Sequence, residues 1–277
     1  MSRHPIGVEE KRFKYRTHNK KESITIMIYR QYGEVLLKVF DTREEMGLVA
    51  AQEAMQTIAD LLTRQEYINC IFAAAPSQTE FLGALSRQDI TWKRINAFHM
   101  DEYLGLPIGS PSSFGAFLNY HIFGKVSFRA LHLIDGNAKS EEECARYAKL
   151  LNKFPPDIVF MGIGENGHIA FNDPAVANFE DPLLVKEVVL EKACRIQQVH
   201  DGCFPSLKDV PEKAITLTTP ALLSARHVFC IVPGERKAAA TAAALMGEIT
   251  TACPAGILRK KTGTRMYIDT HCAVGLQ

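Results

Sequence analysis

Two adjacent acids, Asp101 and Glu102, follow a β-favouring stretch, and farther along His168 follows a loop with glycines at 162, 164 and 167. Adjacent side chains on an extended segment point to opposite sides, so the two carboxylates meet different surroundings. One is a candidate general base; a helix cap or a solvated acidic turn is the alternative use of such a pair. His168 is of the residue type whose imidazole side chain ordinarily exchanges a proton near neutral pH, which makes it a candidate for proton movement. Asp173, a few residues on, is placed to hold that ring in one tautomer. Glycine permits a left-handed turn and close approach of a ligand to the backbone. A third loop, Gly234-Glu235-Arg236-Lys237, puts two cations in the first turn of a predicted helix, where the macrodipole prefers anions. A bound anion resolves that conflict by bridging them to the exposed amide groups. Ser77 and Thr79, at an earlier turn, offer hydroxyl and backbone donors to the same anion. Each loop alone has a structural reading. Together they supply an acid, a histidine and an anion clamp, the set that proton transfer on a phosphorylated small molecule requires.

The elements that must hold these loops are legible from periodicity. The polar N-terminal segment gives way near residue 22 to Ile24-Thr25-Ile26-Met27-Ile28, and Val35 to Phe40 reads as a strand. Thr42 with Glu45 forms a capping box ahead of Met46, Val49, Ala50, Ala54, Ile58, Leu61 and Leu62, which recur at helical steps. Tyr67 to Ala73 reads as a strand, ending in the turn Pro76-Ser77-Gln78-Thr79 before a helix through Phe81, Leu82 and Leu85. Further strands are predicted at 95–100, 157–163, 186–190, 227–232 and 266–269, and helices at 113–123, 141–152 and 235–246. Strands alternating with helices imply an α/β protein with a mostly parallel open sheet, helices on both faces. Ligands of such sheets bind beyond the carboxyl ends of the strands, where all three loops fall. The organisation expected is a polar basic arm over residues 1–23 and a single α/β domain over 24–277.

Composition narrows the function classes. Of 277 residues, 47% are hydrophobic and 23% charged, and 32 Lys plus Arg nearly balance 31 Asp plus Glu. Such a chain can bury a large core and has no global field to attract nucleic acid or an anionic membrane. Glu9, Glu10, Phe13 and Tyr15 interrupt the basic arm, which reads as solvated or as a contact in a homo-oligomer rather than as a nucleic-acid arm. Seven scattered cysteines without a C-x-x-C pair fit reduced thiols in a cytoplasm and neither a disulfide framework nor a zinc site. No apolar run approaches the ~20 residues needed to span a bilayer, and no signal-peptide core is found.

The segments Met100-Asp101-Glu102-Tyr103-Leu104-Gly105-Leu106-Pro107 and Gly164-Glu165-Asn166-Gly167-His168-Ile169-Ala170-Phe171-Asn172 resemble the glucosamine-6-phosphate deaminase (isomerase) family. The likeness continues through Leu133 to Ala138, Val210 to Leu217 and Gly234 to Ala238, and so covers residues 35 to 272 in order. It implies a Rossmann-like sheet and conversion of glucosamine 6-phosphate and water to fructose 6-phosphate and ammonia, without metal or organic cofactor. By the same resemblance His168 opens the sugar ring, Asp101 moves the C2 proton to C1, Asn166 and Asp173 belong with the histidine, and Ser77, Gln78, Thr79 and Lys237 hold the phosphate. Departures are specific. The family usually has Glu at 173, so Asp is shorter by about 1.5 Å and the orientation of His168 is expected to suffer. The glycine-rich phosphate turn is replaced by Ala75-Pro76-Ser77-Gln78-Thr79-Glu80, with Glu80 expected to repel a dianion. His200 stands where a phosphate-binding arginine is expected, with Arg195 as a candidate substitute. These departures keep two alternatives open: another hexosamine phosphate such as galactosamine 6-phosphate, or a sugar-phosphate sensor without turnover. Lactonases on the same fold typically carry Asp-Gly-His-Thr-Ala-Ser where this chain has Asn166 to Phe171.

Overall fold

A computed structural model describes residues 11–16 and 24–276. Its strands are β1 (Lys11–Arg16), β2 (Ile24–Tyr32), β3 (Val35–Phe40), β4 (Ile68–Phe72), β5 (Ile95–His99), β6 (Asp101–Tyr103), β7 (Ala130–His132), β8 (Ile158–Met161), β9 (Val185–Val189), β10 (Lys213–Leu217), β11 (His227–Val232) and β12 (Thr264–Asp269). The helices are α1 (Arg43–Leu62), α2 (Thr79–Leu85), α3 (Phe114–Leu118), α4 (Ser140–Lys153), α5 (Lys192–His200), α6 (Thr219–Leu223), α7 (Ala238–Met246) and α8 (Thr270–Ala273). No helix among the described residues is long and apolar enough to cross a membrane.

Nine strands form the main sheet in the order β1-β2-β3-β12-β11-β8-β4-β5-β7. From β3 to β7 every pairing is parallel; β1 and β2 add an antiparallel edge. Strand β1 lies within the segment read as a polar arm, so part of that segment joins the sheet; the rest of it lies outside the described residues. The central strands β4, β5 and β8 are buried at every position because both faces are covered. Ile68, Cys70 and Phe72 pack with α1, α2 and α3, whereas Ile71 belongs to the opposite core with Tyr147 and Leu151 of α4 and Leu245 of α7. Thr42 caps α1 as its sequence predicts, its side chain accepting from the Glu45 amide at 3.2 Å.

From β4 the chain adds β5 and β7 on one side, then returns to place β8, β11 and β12 on the other. The strand order therefore reverses between β4 and β8, which opens a crevice at their carboxyl ends. The segment 186–190, expected in the parallel sheet, instead forms β9 of a second, antiparallel sheet of order β6-β10-β9. Its mixture of buried and exposed residues suits a sheet with one wet face. The chain passes between the sheets at Met100, whose carbonyl accepts from the Leu217 amide at 2.8 Å. Two predicted helices begin or end irregularly: 113–123 closes in a π turn over 119–123, and 235–237 is a 3-10 turn leading into α7.

Candidate active site

Asp101 is the first residue of β6, pinned by register opposite Thr216 of β10. Its side chain lines the crevice at the reversal point, together with His168, Ser77 and Lys237. Glu102, next along the strand, points the other way. Its carboxylate accepts from the amides of Phe114 at 3.1 Å and Gly115 at 2.9 Å, so it satisfies the open N-terminus of α3. Of the uses foreseen for an acid pair, the helix cap falls to Glu102, and Asp101 is the acid left facing the crevice. Phe114 and Phe171, stacked with ring centroids 5.4 Å apart, form an apolar wall of the crevice. Burial, and secondarily the Glu102 charge, push the Asp101 carboxyl well above the usual carboxylate range.

The loop after β8 builds the histidine's seat. Gly164 has no room for a side chain: a Cβ there would lie 2.1 Å from the His168 ring. Gly167 turns the chain with φ +85°, a conformation that L side chains rarely adopt. Ala170 holds φ +48° without being glycine, a left-handed conformation costing roughly 1–2 kcal/mol. The Asn172 side chain braces that turn by donating to the carbonyls of Ile169 and Leu217, both at 2.9 Å.

His168 Nδ1 lies 2.7 Å from Asn166 Oδ1 and 3.0 Å from Asp173 Oδ1. Both neighbours are acceptors, so Nδ1 carries the proton and Nε2 is the nitrogen left to meet a ligand. Asn166 in turn donates its amide to Asp173 Oδ1 at 2.9 Å. The shorter acid therefore reaches the ring, contrary to the loss of orientation expected from its length, because Asp173 is completely buried within the same turn. Burial alone would push the Asp173 carboxyl up, but hydrogen bonds from His168 and Asn166 outweigh it and hold it below its ordinary value.

The opposite end of the crevice departs more from expectation. Ser77 lines it, but Gln78 turns inward and donates to the Ile231 carbonyl at 3.0 Å; neither Gln78 nor Thr79 is on the crevice wall. Glu80 is held by Arg43 at 3.0 Å, which also donates to the Pro76 carbonyl, so its charge is neutralised within the turn. Arg195 is spent on the 207–210 loop, donating to the carbonyls of Leu207 at 3.0 Å and Val210 at 2.8 Å. His200 is half-exposed beside Glu165, 4.0 Å away. Neither Arg195 nor His200 lines the crevice. Their place is taken by Gln197, Gln198 and Asp201, which the sequence reading did not single out. With Cys194 these residues recur at i, i+3, i+4 and i+7, one face of a helical turn. That spacing was available in the sequence, but the stripe is polar and a search for apolar periodicity passes over it.

Lys237 is buried on the crevice wall, only 7% exposed. Burial lowers its pKa, partly offset by the charges of Asp201 and Glu165. Neither acid pairs with it; both face Arg236 instead, Asp201 at 2.9 Å and Glu165 at 3.6 Å. A buried ammonium without a partner among the described residues is costly unless an anion meets it.

Residues 41–267 match the family model of glucosamine-6-phosphate isomerases/6-phosphogluconolactonase. The glucosamine-6-phosphate deaminase of Listeria monocytogenes serotype 4a (strain HCC23) is 32% identical over 231 residues, 83% of this chain and 96% of the relative. That of Exiguobacterium sp. (strain ATCC BAA-1283 / AT1b) is 35% identical over 188 residues, 66% of this chain and 72% of the relative. A solved structure of a monomeric glucosamine-6-phosphate deaminase superposes with a TM-score of 0.78 at 28% identity, covering 87% of this chain and 99% of that one. The 6-phosphogluconolactonase of Thermotoga maritima superposes with a TM-score of 0.69 at 18% identity, covering 85% and 100%, a likeness of fold alone.

Proposed function

The chain belongs to the glucosamine-6-phosphate isomerase/6-phosphogluconolactonase family, and from that premise we propose that it converts glucosamine 6-phosphate and water to fructose 6-phosphate and ammonia. The observation that carries this reading is the convergence on one crevice of Asp101, His168 and Lys237, which has no partner among the described residues. Nε2 of His168 takes the proton from the sugar's O1 and delivers it to O5, which opens the ring to an aldehyde. The aldehyde acidifies the C2 hydrogen. Asp101 removes that proton and returns it at C1 while one proton of the C2 ammonium passes to O1, turning C1 into an alcohol and the C2 amine into an imine. Water then hydrolyses the imine to the ketone, releasing ammonia. A carboxylate that burial holds above the usual range is a stronger base for such a step than an ordinary surface aspartate. Ser77 and Lys237 anchor the phosphate at the end remote from reaction, so that binding there orients C2 against Asp101.

Two features behind the alternative readings lose their force. Asp173 meets the histidine, which supports turnover over sensing, and Gln78 points away from the crevice, so it does not select among sugars. All seven cysteines are unpaired, which supports a reducing compartment such as the cytoplasm. The direct test incubates the purified protein with glucosamine 6-phosphate and measures both products. Equal amounts of ammonia and fructose 6-phosphate are expected, with galactosamine 6-phosphate slower in parallel. Absence of both products overturns the reading, and a faster reaction of the galactose epimer replaces its substrate.

A further inference from the structure

On the Nδ1 side of the His168 ring, three donor atoms of different chemistry converge. His168, Asp173 and Cys194 each offer a ligand atom, and these atoms lie within 4.8 Å of one another. No other such trio is found among the described residues. The three side chains come from two separate elements, the turn after β8 and the buried face of α5, and all are almost wholly inaccessible to solvent. We propose that they form a binding site for a soft divalent cation of the zinc class, and that filling it disables His168 as a base.

Imidazole nitrogen, carboxylate oxygen and thiolate sulfur together are the donor set that zinc takes in proteins, and hard cations such as magnesium do not. A fourth position is at hand. Asn166 Oδ1 lies 2.7 Å from His168 Nδ1, on the side a cation bound there would face. Without a metal the thiol is a neutral neighbour of Asp173; with one, its proton leaves and the thiolate and carboxylate both face a positive charge.

The proton balance gives the functional consequence, which rests on the catalytic role proposed for His168. A cation on Nδ1 displaces the proton held there between Asn166 and Asp173. The neutral ring then carries its proton on Nε2 instead, so the ring's proton count is unchanged. Cys194 loses its thiol proton. One proton is released in all, metal–nitrogen, metal–oxygen and metal–sulfur bonds form, and nothing is oxidised. Nε2 becomes an N–H donor and can no longer take the proton from the sugar. Because Ser77 and Lys237 are untouched, the cation acts on turnover and leaves substrate affinity nearly unchanged.

Cobalt(II) reports the site without substrate. Titration of the chelator-stripped full-length protein with Co2+ is expected to raise a thiolate-to-cobalt absorption band together with the strong visible bands of four-coordinate cobalt, complete at one equivalent and abolished by added Zn2+. Cys194→Ala and, as a second variant that keeps the volume, Cys194→Ser are expected to lose the thiolate band. In the activity arm, Zn2+ lowers kcat of the wild type at unchanged KM, and the variants are at least about tenfold less sensitive, the smaller end of what losing a metal-site interaction does. A wild type without the thiolate band, or a band that survives in both variants, overturns the site. Equal zinc inhibition of wild type and variants overturns the switch. A protein that binds cobalt through Cys194 but releases no ammonia upholds the site and overturns the catalytic reading instead, so the two failures are distinguishable.

Discussion

The two ends of the crevice are built on opposite principles. At the reacting end the groups that frame Asp101 and hold the histidine have defined partners: Glu102 caps α3, Asp173 and Asn166 grip the His168 ring, and Asn172 ties the strained turn to β10. At the anion end a buried lysine lacks a partner among the described residues, while the nearby arginine pairs with acids. Proton transfer needs groups fixed within a fraction of an ångström before the substrate arrives. Anion capture tolerates looser geometry, because the charge of the ligand itself completes the site. The contrast predicts that damage at the first end appears in kcat and damage at the second in KM.

The largest effect is expected from Asp101→Asn. Loss of a general base costs about 10²–10⁴-fold in turnover, and kcat should fall within that range while KM moves little. Stability should move the other way. The raised pKa of Asp101 means that the folded state holds its proton more tightly than the unfolded chain. Stability therefore drops as pH rises from the unfolded value, about 3.9, to the folded one, and stays lower above it. The amide lacks that penalty, so the inactive variant should melt no lower than wild type at pH 7. In the wild type, the acid limb of kcat/KM should lie above the ordinary carboxylate range. A variant that keeps full activity, or one that melts well below wild type with normal turnover, breaks the assignment of Asp101 to the reacting end.

The same contrast explains what the sequence discloses. The reacting end is written in two short continuous segments, 99–107 and 162–173, whose acids, glycines and histidine are meaningful by local spacing. Even there, which acid of the pair faces the crevice follows only from the pairing of β6 with β10, and a strand of three residues has too little pattern to be read. The anion end is assembled from four distant places, the turn after β4, the β8 loop, α5 and the turn after β11, so no window of sequence contains it. Arg195 and His200 are plausible by residue type yet lie off the face of α5 that carries Gln197, Gln198 and Asp201. The α/β class and most long elements follow from periodicity. The second sheet does not, because β9 looks like any other strand until its partners are known.

Lys237→Gln should bring the next largest effect, and on the other parameter. A charge-assisted hydrogen bond is worth about 1.5–3 kcal/mol, so KM should rise about ten- to a hundredfold with a smaller change in kcat. Burial lowers the lysine's pKa, which costs folding stability at every pH below its unfolded value of about 10.4. The free variant should therefore melt at the same temperature as wild type or higher. Inorganic phosphate should raise the melting temperature of wild type and not that of the variant. Equal stabilisation of both by phosphate would place the anion elsewhere.

Asp173 sharpens the comparison through stability. Its folded pKa lies below the ordinary value, so it adds stability that is complete above about pH 3.9 and is lost as pH falls through the lower, folded value. Asp173→Asn should thus destabilise at pH 7 and lose much of that deficit in acid, with kcat reduced and KM nearly preserved. A variant whose deficit is the same at both pH values would mean that the carboxylate's charge is not what holds the ring.

The smallest effects should come from the pair that lies across the anion end. Asp201 is a carboxylate on the wall of a crevice meant for an anion, and it is tolerable there because Arg236 at 2.9 Å and the Gln197 amide at 3.3 Å oppose its charge. The guanidinium is half exposed, so its contribution is screened by solvent and salt. Asp201→Asn removes a repulsion and releases Arg236 towards an incoming phosphate, which should lower KM about two- to fivefold at low salt. Arg236→Gln should raise it by a similar factor. Both changes should shrink as salt is added, because an arrangement this exposed works through long-range charge rather than a fixed contact. A rise in KM for Asp201→Asn that is indifferent to salt would instead make Asp201 a direct acceptor for the sugar's hydroxyl groups, and the anion end would then be as closely fitted as the reacting end.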